Sequence, residues 1–238
     1  MKLSQKLGKL FRAETYARGW RRLQRKRQRI PLQPVLDRID RVRLAEIQQR
    51  YAGSHRQIKK YAEVEHWLRI NVERAQDLGL QKKGVEPSGS GLDVLDLGCG
   101  GGFFLAVCQQ LGHRELGLDI DEFPLYAELV ELLGVERQIC EIKAFAPLPD
   151  LGRRFDLITA FSIGFNRKAD KSLWGPAEWE FFLNDLEQRQ LKRGGRIFLA
   201  LNPQLDGDFY TVELRGWFVR RGARVERERV LFETGQAT

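Results

Sequence analysis

Residues 94–102 read Val94-Leu95-Asp96-Leu97-Gly98-Cys99-Gly100-Gly101-Gly102. A short apolar run ends in a cluster of glycines. Asp93 to Leu97 has the length and composition of a buried parallel strand. Phe103 to Leu111 reads as a helix stopped by Gly112. The glycines therefore stand where a strand hands over to a helix. In an open α/β sheet that junction lies at the carboxyl edge, where ligands bind. Glycine there permits positive φ and lets a ligand approach the backbone with no Cβ between them. The amides freed at the following helix N-terminus favour an anionic group. Asp119 follows 21 residues after Gly98, at the end of the next expected strand, Leu116-Gly117-Leu118-Asp119. A carboxylate in that place accepts hydrogen bonds from both ribose hydroxyls of a nucleoside.

Strand and helix continue to alternate downstream. Pro124 opens a helix to about Leu133, with Gly134 as its stop. Gln138 to Ile142 and Phe155 to Phe161 read as strands, and Pro176 to about Gln190 as a helix. Lys192-Arg193-Gly194-Gly195 turns into a fifth strand, Arg196 to Leu201. A helix from Phe209 to Arg221 and a final strand from Arg224 to Phe232 complete the series. The alternation implies right-handed crossovers and an α/β fold: a doubly wound, mostly parallel sheet of six to seven strands with helices on both faces.

Upstream, one helix is expected from Val35 to Arg50, broken by Ala52-Gly53-Ser54. Another is expected from about His55 or Lys59 to Leu78, with Tyr61, Val64, Leu68, Val72 and Ala75 on its apolar face and Gly79 as its cap. Residues 81–91 form a polar linker. The chain thus divides into a basic helical N-terminal extension, residues 1–54, and an α/β domain, residues 55–238.

Charge follows the same division. The net charge of +8 over 238 residues hides an asymmetry: residues 1–60 hold 18 Lys and Arg against 4 Asp and Glu, and the remainder holds 22 against 28. The basic character belongs to the N-terminal segment, and the rest is mildly acidic. No apolar run reaches the length of a membrane span, and a secretory signal's apolar core is missing. Cys99, Cys108 and Cys140 are too few and too scattered for a disulfide framework or a zinc site. His55, His66 and His113 show no ligand spacing, so no metal site is expected; the three cysteines read as reduced thiols of a cytoplasmic protein, peripheral to a membrane where residues 1–30 meet one.

Two cofactor classes share the strand–glycine turn–helix geometry. The dinucleotide fingerprint places a third glycine where Phe103 stands, and a phenylalanine obstructs the close helix–strand packing which that glycine allows. The run is instead of the form Asp-x-Gly-x-Gly-x-Gly. In this it resembles the first motif of class I, Rossmann-like S-adenosylmethionine-dependent methyltransferases. Gly117-Leu118-Asp119-Ile120-Asp121 is similar to their second motif, and Phe155-Asp156-Leu157-Ile158 to their fourth-strand motif. Leu191-Lys192-Arg193-Gly194-Gly195-Arg196 resembles the turn before their fifth strand, with Arg193 in place of the usual proline.

The resemblance implies S-adenosyl-L-methionine as cofactor and assigns roles. Asp96, Gly98, Cys99, Gly100 and Gly102 would surround the methionine moiety, with its ammonium near Asp96 or the adjacent carbonyls. Asp119 would hold the ribose, and Ile120 would pack on the adenine. Lys143 stands where relatives often carry an acid that receives the adenine amino group, so recognition there would rest on the backbone of Ala144 and Phe145 and on apolar contact. Phe145 reads equally well as a core residue. Phe161 would close the cofactor site at the end of the fourth strand.

Methyl transfer from a sulfonium is an in-line displacement whose main demand is alignment. A proton acceptor is needed only where the methyl acceptor must lose a proton. The resemblance puts the acceptor near residues 161–167. No Asn-Pro-Pro-Tyr or Asp-Pro-Pro-Tyr run follows the strand there, and no cysteine lies in a nucleophile motif. Asn202-Pro203 reads as a turn that ends the fifth strand. Asn166 is the one catalytic candidate, as a residue that orients an acceptor hydroxyl or amine, against the simpler reading of an exposed loop asparagine. Trp174 either belongs to a lid over the acceptor or to the core, and Trp179 and Phe182 read as core.

The leading expectation is methyl transfer to an O or N atom of a small-molecule or membrane-associated acceptor. Two alternatives stand beside it: an RNA methyltransferase anchored by the basic arm, and a non-catalytic module that binds the cofactor. Residues 1–30 permit several readings themselves: phosphate contacts with a nucleic acid, an anionic membrane surface met by Leu3, Leu7, Leu10 and Phe11, a targeting peptide, or a solvated extension.

Overall fold

The computed structural model describes residues 30–80, 91–168, 170 and 172–233. The expectations for the basic arm, residues 1–29, and for most of the linker lie outside the described residues. Seven strands form one sheet: β1 (Asp93–Leu97), β2 (Arg114–Asp119), β3 (Arg137–Ile139), β4 (Phe155–Ile163), β5 (Leu191–Leu201), β6 (Arg224–Glu226) and β7 (Arg229–Glu233). Their order across the sheet is β3-β2-β1-β4-β5-β7-β6. The first five pair in parallel, and β7 enters antiparallel between β5 and β6. This is the doubly wound sheet expected, at seven strands.

Period-two alternation divides the core. Every residue of β1 is buried. Val94 faces one layer with helices α5 (Phe103–Gln110) and α6 (Pro124–Leu133), while Leu95 and Leu97 face the other with α7 (Pro176–Asp185) and α8 (Val212–Arg220). The first layer also takes four helices that precede the sheet: α1 (Gln33–Leu36), α2 (Arg41–Tyr51), α3 (Arg56–Tyr61) and α4 (Val64–Asp77). Ile47 on α2 and Leu68 on α4 are fully buried there.

Three elements differ from their expected form, each for a local reason. The helix expected over 35–50 is two. Pro34 opens the short α1, and Asp40 then caps α2 by accepting from the amides of Val42 (2.9 Å) and Arg43 (3.0 Å). The helix expected from about His55 to Leu78 is also two, broken at Ala62-Glu63. The Trp67 indole donates back to the Lys60 carbonyl at 2.8 Å, and its ring stacks on Tyr61 at 4.7 Å, which closes the end of α3 and sets the bend. The final strand is a hairpin. Arg227 takes a φ of 51° in the two-residue turn between β6 and β7, the left-handed conformation that tight hairpins need.

The amino ends of four strands meet on one charged knot. Asp93 on β1 accepts from Arg114 on β2 (2.7 Å) and from Lys192 on β5 (2.6 Å), and Lys192 also reaches Asp156 on β4 (2.8 Å). Burial draws the Asp93 carboxyl upward, but the hydrogen bonds from Lys192 and Arg114 outweigh it and leave it below its ordinary value. The expected turn before β5 sits inside the strand. Phe155 pairs with Leu191 and Leu157 with Arg196, so residues 192–195 bulge out between them, with Gly194 at a φ of 77°.

Candidate functional site

The sheet's carboxyl edge opens where the strand order reverses between β1 and β4, and the glycine turn occupies that edge. Gly98, Gly100 and Gly102 adopt φ values of 72°, 55° and 76°. The turn is tied to its neighbour strand, since the amides of Gly98 (2.7 Å) and Cys99 (3.1 Å) both donate to the Leu118 carbonyl. Gly102 begins α5, and a Cβ there would sit 2.6 Å from Val135 Cγ2, so no side chain fits. Beneath the turn, Gly117 of β2 leaves room for Cys99, whose sulfur would stand 2.5 Å from any Cβ at position 117.

Asp119 ends β2 and turns back on the glycines. One carboxylate oxygen accepts from the Gly100 amide and the other from the Ile120 amide at 2.8 Å. Burial raises this carboxyl above its ordinary value, against the two amide hydrogen bonds and the charge of Arg137. A carboxylate offers about four lone-pair sites. Two are filled by amides, and two remain for a ligand.

A cavity of about 700 Å³ lies over this edge. One half of its wall is Gly98, Asp119 and Ile120 with residues 140–144, and the other half is Phe161 to Phe165 with Arg167 and Lys168. Of the residues singled out from sequence, Gly98, Asp119, Ile120, Ala144 and Phe161 line this cavity. Asp96, Cys99, Gly100 and Gly102 are not among its lining residues. Phe145 lies off the wall, with a φ of 55° and its ring 5.9 Å from that of Phe181; it is 56% exposed, so it is not a core residue either. Lys143 lines the wall paired to Glu141 at 2.8 Å, and Glu141 brings to the same wall a carboxylate that sequence reasoning passed over.

Asp96 is 3% exposed, and its carboxylate accepts the Thr159 hydroxyl at 2.7 Å. Burial pushes it up to about 7, with the Thr159 hydrogen bond and the charge of Arg74 pulling the other way. Arg74 is a site residue that sequence reasoning missed. It projects from α4, its guanidinium 4.4 Å from the Phe161 ring centroid, and donates to Asn71 at 3.0 Å. Burial lowers its pKa, opposed by the charge of Asp96. Tyr61 and Tyr126 pack edge to face at 5.1 Å, and the Tyr126 ring lies 3.8 Å from the place of a Gly100 Cβ. Tyr126 of α6, backed by Tyr61 of α3, therefore packs against the glycine turn.

At the opposite end, β4 finishes in a bulge. Pairing with β5 shifts register between Phe161 and Ile163, and Ser162 takes a φ of 55°. Asn202 holds that bulge, donating to the Ile163 carbonyl at 3.0 Å, beyond its expected part in ending β5. Asn166 is 5% exposed, so the reading of an exposed loop asparagine is corrected. Its carbonyl accepts the Trp174 amide at 2.9 Å, and it lies behind the cavity wall. Trp174 is 1% exposed and packs among Phe165, Trp179 and Phe182 at 5.3–5.7 Å. It belongs to the core beside the cavity, as Trp179 and Phe182 do.

No protein-family model matches the chain. A protein named ubiquinone biosynthesis O-methyltransferase from Stutzerimonas stutzeri (strain A1501) is 33% identical over 76 residues, 31% of this chain and 33% of that protein. The protein of the same name from Pseudomonas fluorescens (strain SBW25) is 36% identical over 76 residues, with the same coverage. The chain thus matches about a third of the length of these curated relatives. The crystal structure of Streptomyces venezuelae DesVI superposes with a TM-score of 0.50 at 13% identity, over 71% of this chain and 92% of that one, a likeness of fold. Strand order, glycine turn, Asp119 and the local matches agree: the chain has the class I, Rossmann-like fold of the S-adenosylmethionine-dependent methyltransferases.

Proposed function

We propose that the protein is an S-adenosylmethionine-dependent methyltransferase that moves a methyl group by direct in-line transfer to an O or N atom of a small-molecule acceptor. The observation that carries this reading is Asp119: a carboxylate at the end of β2, bound to the Gly100 amide and facing a cavity of about 700 Å³. That volume is of the size that takes a nucleoside ligand. The partial likeness to proteins named O-methyltransferases supports the same reaction class.

The cleft suits the cofactor part by part. Asp119 has two lone-pair sites for the ribose hydroxyls, and Ile120 and Ala144 offer apolar surface to the adenine. Gly98, with no Cβ, admits the methionine end to the backbone. Asp96 and Arg74 are close enough for their charges to interact; Asp96, once ionised, would suit an ammonium and Arg74 a carboxylate. When bound, the cofactor supplies an activated methyl group. The chain's own work is to hold the acceptor atom in line and keep water out. Phe161, Ile163 and Phe165 give that half of the cavity an apolar wall.

A transfer assay tests this reading. S-adenosylmethionine with a deuterated methyl group is incubated with the full chain and panels of hydroxylated and amino-bearing small molecules, and products are read by mass. A labelled product supports the reading, and its class separates O from N transfer. Tight cofactor binding with no product from any panel favours a non-catalytic binding module.

A further inference from the structure

The cavity wall carries a cation, Arg167, that has no carboxylate within ion-pair distance among the described residues. After β4 the chain forms a small hairpin. The Lys168 amide donates to the Ser172 carbonyl at 2.8 Å, Arg167 bridges to Leu173, and the Trp174 amide donates to Asn166. Its root is pinned. Asn166 and Trp174 are buried there, and Lys168 reaches Glu178 at 2.8 Å, a largely buried carboxylate that also accepts the Gly175 amide. The backbone of Arg167 is thereby held by a fixed frame, and its exposed side chain lines the cavity.

The charged groups on the wall are Asp119, Glu141, Lys143, Arg167 and Lys168. Lys143 is paired with Glu141 and Lys168 with Glu178. Asp119 is engaged by amides and faces the nucleoside half. Among the described residues, no carboxylate lies within ion-pair distance of Arg167. Phe161, Ile163 and Phe165 line the same cavity. Arg167 is itself exposed, so its charge is open to a ligand entering the cavity, and its planar fork matches carboxylate and phosphate.

We propose that the methyl acceptor carries an oxyanion, a carboxylate or a phosphate, bound by Arg167, on an apolar body seated against Phe161 and Phe165. This rests on the methyltransferase reading above. It makes Arg167 the residue that selects acidic acceptors over neutral ones of the same shape.

Calorimetry on the full chain saturated with S-adenosylhomocysteine tests it, with benzoate, phenyl phosphate and neutral benzamide as probes. The expected result is that an acidic probe binds at least tenfold more tightly than benzamide, a difference of about 1.4 kcal/mol. Arg167→Gln removes that preference and Arg167→Lys retains part of it. Preference for benzoate identifies a carboxylate, preference for phenyl phosphate a phosphate, and both together the shared chemistry. Equal binding of acidic and neutral probes, no binding of any acidic probe, or a preference that survives Arg167→Gln overturns the proposal. Failure of S-adenosylhomocysteine itself to bind is a separate outcome, and it overturns the methyltransferase reading first.

Discussion

Asp96→Asn separates what the buried carboxylate costs the fold from what it contributes to the cleft. Burial moves this group from its ordinary 3.8 to about 7, only partly offset by the Thr159 hydrogen bond and the charge of Arg74. In the unfolded chain it ionises near 3.8, while in the folded chain it keeps its proton until about pH 7. The folded state therefore binds more protons across that window. The resulting stabilisation is whole below the lower value and is lost as pH rises to the upper one. At about 1.36 kcal/mol for each pH unit, the full loss is about 4 kcal/mol. Asparagine keeps an oxygen for the Thr159 hydroxyl, never ionises and has no such slope. Asp119 and Glu115, which burial also raises, are common to both proteins and largely cancel in the comparison. Urea unfolding of wild type and variant is measured from about pH 5 to about pH 8. Across that range the variant should gain roughly 2.5 kcal/mol on the wild type. Parallel pH profiles would refute the assignment of Asp96 as a buried, reluctantly ionised group. The variant should also bind S-adenosylhomocysteine more weakly at the upper pH, so stability and affinity move in opposite directions.

Two further predictions follow from the same geometry. Gly117→Ala drives a Cβ to 2.5 Å from Cys99 Sγ and 2.7 Å from Leu105 Cδ1; it should cost about 1–3 kcal/mol in urea unfolding, and adding Cys99→Ala should recover part of that loss. Lys192→Met removes the link between Asp93 and Asp156 and should cost about 2 kcal/mol at neutral pH, less than a fully buried pair because Arg114 remains and Lys192 is partly exposed. Because the Asp93 carboxyl is held below its ordinary value, that difference should shrink as pH falls and the carboxyl takes up its proton.

The sequence announces the centre of the cleft more clearly than its ends. The apolar run from Asp93 to Leu97, the glycines after it and Asp119 are local features, and each obeys a rule that holds whatever lies around it. Arg74, Tyr61 and Tyr126 carry no such mark. They come together around the glycine turn and Phe161 only because α3, α4 and α6 meet there in the fold, and tertiary placement leaves no trace in the spacing of charged or aromatic residues. Asp40 and Trp67 were legible in principle, one as an N-cap and the other as a long side chain able to cap a carbonyl. The helical stripe through 35–50 and through 55–78 overrode both signals. Asn166 shows the opposite error: a polar residue in a loop reads as exposed, yet its backbone anchors the hairpin and burial follows.

The central claim, a nucleoside-bearing cofactor held by Asp119 over the glycine turn, is tested most directly by calorimetric titration of S-adenosylhomocysteine into wild type, Asp119→Asn and Asp119→Ala, with thermal unfolding to verify that each is folded. Two hydrogen bonds to an ionised group, at about 1.5 kcal/mol each, predict a loss of roughly a hundredfold in affinity for the alanine variant. The asparagine variant, which keeps one acceptor oxygen, should fall between. Affinity unchanged in both folded variants, or a wild type that prefers a nicotinamide dinucleotide, would contradict the account.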